Sequence, residues 1–145
     1  MGRVEMALPE MFNPKMMQRA VSEVLERPER NGIYRLSQSD FGFQPALDGR
    51  ALRSKKALLV GVARALDFPD YFGENWDALE ECLSDMSWRD GQISLLIEHA
   101  DSIPDALFAT FREVFGQMAE QWAEEGRVCS LFLTGLENPD IPLLA

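Results

Sequence analysis

Basic residues and histidine are scarce in this chain of 145 residues. It has 14 Lys and Arg against 24 Asp and Glu, and a single histidine, which gives a formal net charge of -10. A surface that binds nucleic acid needs clustered positive charge for its phosphate contacts, so this balance argues against direct binding to nucleic acid. The same balance fits a basic protein partner, or simply solubility.

Cysteine is also rare, and long apolar runs are missing. Cys82 and Cys129 each lie within an apolar pattern and have no Cys-x-x-Cys spacing, so we expect a reduced pair, although a disulfide stays open. No apolar stretch approaches the roughly 18 residues of a transmembrane helix. The N-terminus has no apolar core followed by a small-residue cleavage site. These absences predict a cytoplasmic protein that does not enter a membrane.

Motifs of catalysis are absent as well. There is no glycine loop that would cradle a phosphate and no nucleophile elbow. His99 follows Glu98 directly after a predicted strand. If the strand continues through them, their side chains point to opposite faces, which makes them a poor catalytic pair. Cys82 lies on the apolar face of a predicted helix, which is more typical of packing than of a nucleophile. We therefore predict a protein that is not an enzyme, with no catalytic residues and no cofactor.

What is present indicates one globular unit with alternating helices and strands, since 46% of the residues are hydrophobic. A first helix is predicted to begin at Pro14 and to be ended by Pro28, and a second to begin at Ser54 and to be stopped by Phe68-Pro69. Further helices are predicted from Trp76 to about Asp85 and from Pro104 to Glu125, and strands over 33–36, 44–48, 93–97 and 128–134. This order predicts an α/β fold around a small, mostly parallel sheet. Residues 1–31 form a predicted N-terminal appendage with one short helix, and residues 32–145 form the main domain.

The most informative segment is acidic. Between Asp67 and Asp85 lie seven acids and no Lys or Arg. Asp77, Glu80 and Glu81 stand at i, i+3 and i+4, so their carboxylates share one helix face and repel each other by a few tenths of a kcal/mol. A solvated acidic face is the simplest explanation. The lack of interleaved bases, and the aromatic, glycine-containing loop that precedes the helix, favour a binding surface instead.

The same segment resembles a known family. Residues 71–79, Tyr-Phe-Gly-Glu-Asn-Trp-Asp-Ala-Leu, followed by Cys82-Leu83, are similar to the signature of barstar, the intracellular inhibitor of the ribonuclease barnase. The similarity extends over about residues 44–134. It implies a barstar-like fold, in which a three-stranded parallel sheet, with one extra strand as an option, is packed by helices.

The resemblance also implies a partner-binding surface on the loop and helix over residues 71–85. By position, the implied partner-binding residues are Tyr71, Phe72, Asn75, Trp76, Asp77, Glu80, Glu81, Ser84 and Gln121. Glu81 stands where barstar has the aspartate that occupies the phosphate site of the enzyme. Glu80 replaces a tryptophan of the barstar surface, Gln121 replaces an acid, and four residues are inserted around Met86 to Gly91.

Three hypotheses for function follow. The first is a non-catalytic inhibitor of the toxin-immunity type, which plugs a basic extracellular-type ribonuclease or nuclease toxin with a carboxylate in place of phosphate. The second is an interaction module of the same fold that binds a different basic protein. The third is an enzyme in which Asp77 and Glu81 share Mg²⁺. No further ligands can be identified for such an ion, so we predict no metal site.

Overall fold

The computed structural model describes residues 14–37, 46–69, 73–86 and 92–144. Within these ranges it contains four α-helices and four β-strands. Their bounds are α1 Pro14–Leu25, β1 Gly32–Arg35, β2 Ala46–Asp48, α2 Lys55–Ala65, α3 Trp76–Asp85, β3 Ile93–Glu98, α4 Asp105–Glu124 and β4 Cys129–Leu133. Three short 3₁₀-helices lie at Pro28–Arg30, Gly49–Ala51 and Ala100–Ser102.

The four strands form one parallel sheet in the order β1-β4-β3-β2. All five residues of β4 are buried, as expected for a central strand of a parallel sheet that is covered on both faces. The predicted α/β fold with a small parallel sheet is confirmed. The extra strand is β1, which extends the sheet beside β4, and the segment around Pro142 to Leu144 pairs with Arg35 along its outer edge.

The two faces of the sheet are covered differently. Helix α1 packs Met17, Val21 and Val24 against Leu96 and Phe132 on one face. The opposite face is covered by α2, α3 and α4 in the larger core cluster. The division of the chain at residue 31 stays a prediction, and in the described residues α1 lies directly on the sheet. Consequently α1 and α3 lie on opposite faces of the sheet.

Asn31 connects segments that are far apart in sequence. Its side-chain Nδ2 donates to the carbonyl oxygens of Ala119 (3.1 Å) and Arg127 (2.8 Å), and its Oδ1 accepts from the backbone N–H of Cys129 (2.9 Å). A single side chain therefore satisfies backbone groups in the last third of α4, in the turn that follows it and at the start of β4. These hydrogen bonds hold Asn31, which directly precedes β1, against the start of β4, the strand with which β1 pairs.

Both cysteines are buried free thiols, with Cys82 5% and Cys129 0% exposed. Burial raises the pKa of Cys129 to about 12, and burial, helped by the Glu81 and Asp85 carboxylates, raises the pKa of Cys82. The thiolate is the reactive form, so neither thiol of the native protein should react with a disulfide reagent at about pH 8. Both should react after denaturation in guanidinium.

The same thiols should make stability depend on alkaline pH. A thiol whose folded pKa is raised favours the fold while it stays protonated. This contribution is complete below the unfolded pKa of about 8.5, and for Cys129 it is lost as the pH rises towards 12. Urea denaturation at several pH values measures the decline in the free energy of unfolding. In the reactivity experiment, rapid labelling of both thiols of the native protein by the disulfide reagent would contradict their buried placement.

Candidate partner-binding site

Helix α3 begins at an asparagine cap. The Asn75 Oδ1 accepts a hydrogen bond from the backbone N–H of Ala78 at 2.8 Å, and its Nδ2 donates to the Gly73 carbonyl at 3.4 Å. Between them, Glu74 has a φ of 53°, a left-handed conformation that is uncommon for residues other than glycine. The Asn75 side chain is therefore engaged within the chain, where it fixes how the preceding loop enters the helix.

The sequence of α3 separates an apolar face from an acidic one. Leu79, Cys82 and Leu83 are buried against the core. On the other side, an open depression of about 570 Å³ is lined by Asp77, Glu80, Glu81, Ser84 and Asp85. We call these five residues the acidic surface. Its four carboxylate side chains are exposed, so four negative charges face solvent from fewer than three turns of one helix.

The carboxylates of the acidic surface have no counter-charge among the described residues. Among the described residues, ion pairs join Arg30 to Glu23, Arg50 to Asp48 and Arg127 to Glu125. None of these pairs includes an acid of α3. Like charges this close on a helix repel each other. No described base therefore offsets the repulsion between these carboxylates.

Helix α4 reaches this surface through Gln121. Its Nε2 donates to the Ser84 Oγ and to the Glu125 Oε2, each at 3.3 Å, and the Ser84 Oγ lies 3.4 Å from the Met118 Sδ. Nearby, the Trp122 Nε1 donates to the Leu83 carbonyl at 3.0 Å. The structure thus brings Gln121 to the edge of the acidic surface and attaches the end of α3 to α4.

The remaining predicted residues lie at or before the start of α3. Trp76 is partly buried, and the Lys55 Nζ lies 5.9 Å from the centre of its ring. Tyr71 and Phe72 lie outside the described residues. Lys55 was not among the predicted site residues, although it contacts one of them. Its signal was a stretch over residues 49–66 that contains five basic residues and no acid.

The described residues offer no constellation for a metal ion. No group of three or more His, Cys, Asp and Glu side chains within these ranges is placed to hold one. Likewise, none of the helices described here is long and apolar enough to cross a membrane. The acidic surface offers carboxylate oxygens, with the Ser84 hydroxyl and the Gln121 amide at its edge, and carboxylates accept charge-assisted hydrogen bonds from cationic donors.

Replacing Asn75 by alanine should lower the free energy of unfolding by about 1 kcal/mol, because it removes the acceptor for the Ala78 N–H. Asn75→Asp keeps an acceptor and adds a charge that the helix dipole favours, so it should cost less. Urea denaturation of both variants measures the difference. Equal stability of Asn75→Ala and the parent chain would show that this cap does not hold the helix.

The fold and the site together define a structural class: a small α/β protein with a parallel sheet and an exposed helix rich in carboxylates. A sequence model of the family described as Barstar (barnase inhibitor) matches residues 43–134, which is more than half of the chain. The chain therefore belongs to the barstar family.

One relative carries a related description. Over 53 residues the chain is 38% identical to a Bacillus subtilis (strain 168) protein described as "Putative ribonuclease inhibitor YrdF". The matched segment covers 37% of this chain and 56% of that relative. The similarity therefore spans little more than half of the relative's length.

Proposed function

We propose that this protein is a non-catalytic inhibitor of a basic ribonuclease and that the acidic surface of α3 blocks the active site of that enzyme. The observation that carries the proposal is the set of exposed carboxylates on α3, none of which is paired with a described base. Membership of the family of barnase inhibitors supports the same role. So does the description of the Bacillus subtilis relative.

The mechanism follows from the chemistry of the target. A ribonuclease gathers cationic donors around the phosphate of its substrate, and a carboxylate can accept the same charge-assisted hydrogen bonds. Asp77 and Glu81 are four residues apart, which places them about 6 Å apart along the helix axis, so they can meet two cations at once. Because α3 is already folded, capped and packed on α4, little ordering is needed on binding.

The overall charge contributes to the rate of association. A net charge of -10 attracts a basic enzyme over a distance that salt limits to about 10 Å at 0.1 M ionic strength. Association should therefore slow as salt is added, while the short-range contacts of the acidic surface, once made, are less sensitive.

We place this inhibitor in the bacterial cytoplasm, where it would protect the cell from an extracellular-type ribonuclease or nuclease toxin. Two buried free thiols suit a reducing compartment. The partner need not be barnase itself, since Glu80 and Gln121 replace an aromatic residue and an acid of the barstar surface. These two positions favour, as a second candidate, a module that binds a different basic protein.

An inhibition assay tests the proposal. The purified full chain is titrated into a panel of basic ribonucleases that includes barnase, with RNA hydrolysis as the readout and lysozyme binding as a control for a basic protein that is not a nuclease. We expect stoichiometric inhibition of at least one ribonuclease and no RNA hydrolysis by the chain alone. Binding to basic proteins without inhibition of any ribonuclease would favour the second candidate and overturn the first.

A further inference from the structure

The charges of this chain are separated along its sequence. Residues 49–66 contain Arg50, Arg53, Lys55, Lys56 and Arg64 and no acid, and the seven acids of residues 67–85 follow directly. Two of these cations are engaged within the chain: Arg50 pairs with Asp48 at 2.8 Å, and the Arg53 Nη1 donates to the Ser102 carbonyl at 2.8 Å. Lys55 and Lys56 are exposed and form no ion pair with a described residue.

The position of the two lysines is unfavourable for α2 itself. They occupy its first turn, after the Ser54 cap, and that turn contains no acid. Cations at this end meet the positive end of the helix dipole, whereas acids would be stabilised there. The propensity of α2 to form a helix therefore does not explain this pair.

The structure places Lys55 next to the first turn of the helix that carries the acidic surface. Its Nζ lies 5.9 Å from the ring centre of Trp76, the first residue of α3, within the range of a cation–π contact. Trp76 is in turn followed directly by Asp77. The start of α3 therefore has a positive charge beside it, and the carboxylates of the acidic surface follow along the helix from Asp77 onwards. Lys56 has no such contact with Trp76 among the described residues.

We propose that Lys55 and Lys56 form a cationic border that pairs with an acidic group on the partner, so that the inhibited ribonuclease carries a carboxylate beside its basic active site. This inference rests on the proposed function. A uniformly acidic surface attracts a basic enzyme but leaves its rotation about the contact poorly defined. An opposite charge at one end fixes the orientation and adds repulsion against basic proteins that lack the matching acid.

The sign of a charge-reversal effect tests this inference. Lys55→Glu/Lys56→Glu changes the net charge from -10 to -14, which by itself should speed association with a basic enzyme. If the border pairs with a carboxylate, the double reversal instead raises the dissociation constant at least about tenfold, by like-charge repulsion. The probe is a catalytically inactive form of a ribonuclease that the parent chain inhibits, and binding kinetics are the readout.

Two further variants complete the experiment. Lys15→Glu/Arg19→Glu makes the same change of net charge on α1, on the opposite face of the sheet, and should bind as the parent does or slightly faster. Lys56→Glu alone keeps Lys55 over Trp76, so it reports the charge without loss of that contact, and should weaken binding at least about threefold.

The outcomes separate the inference from the proposed function. If the Lys55→Glu/Lys56→Glu variant gains as much affinity over the parent chain as the α1 control variant, or more, that result overturns the cationic border and leaves the inhibitor role intact. If the parent chain inhibits no ribonuclease, the proposed function and the border fail together. Circular dichroism and urea denaturation establish that each variant is folded before its binding is compared.

Discussion

Replacing Glu81 by lysine is expected to weaken binding to the inhibited ribonuclease at least about 30-fold, and Asp77→Lys to have an effect of the same size. This corresponds to about 2 kcal/mol for a close, desolvated charge pair, a magnitude taken from the barnase–barstar interface itself. Both carboxylates are exposed on α3 and free of described ion pairs, so each reversal changes the interface more than the fold. Isothermal titration calorimetry measures the dissociation constants.

A matched control is available on α4. Glu113 is exposed and lines a separate depression beside Ile33 and Ile141. Glu113→Lys makes the same change of net charge away from the acidic surface and should alter affinity far less. If Asp77→Lys and Glu81→Lys both left binding and inhibition intact, the acidic surface would not be the contact region.

Replacing Gly49 by alanine is expected to reduce the free energy of unfolding by about 3 kcal/mol or more. A Cβ at this position would overlap the His99 carbonyl oxygen and lie 2.9 Å from that of Glu98. Both clashing atoms belong to the backbone, so no rotation of a side chain relieves the overlap. The glycine is required by the close approach of the ends of β2 and β3.

Gly116→Ala is the matched control, a glycine-to-alanine change that should stabilise the protein instead of destabilising it. Gly116 lies within α4, and among the described residues an added Cβ there meets no atom within 4 Å beyond its chain neighbours and the backbone of its own helix. Alanine in a helix interior should therefore stabilise the protein by up to about 1 kcal/mol. Urea denaturation of both variants gives the comparison. A stability of Gly49→Ala within about 0.5 kcal/mol of the parent would show that the strand ends can separate at little cost.

The helices could be predicted because their periodicity is local. Phe108, Phe111, Phe115, Met118 and Trp122 recur at three- and four-residue spacing, and all five are buried on one face of α4. The same rule, together with the Asn75 cap, predicted α3 and the orientation of its acids. These features depend only on residues within a few turns of one another, so a single sequence contains them.

Other features depend on contacts between distant segments. Short apolar runs predict strands but do not identify their neighbours, so the position of β1 beside β4 follows only from the structure. The contact of Lys55 with Trp76 joins two helices and has no local pattern. The pairing of Ser84 with Gln121 is similar, because their positions came from the resemblance to barstar and their hydrogen bond from the structure.

The order of the strands has a consequence for how the protein is made on the ribosome. Strand β1 pairs with β4, and the Gly32 N–H donates to a serine side chain 98 residues further along the chain. At about 5–20 residues per second, several seconds separate the synthesis of the two strands. The acidic helix is translated in this interval, before the sheet that supports it can close. The sheet on which the acidic helix packs can therefore close only after β4 has been synthesised.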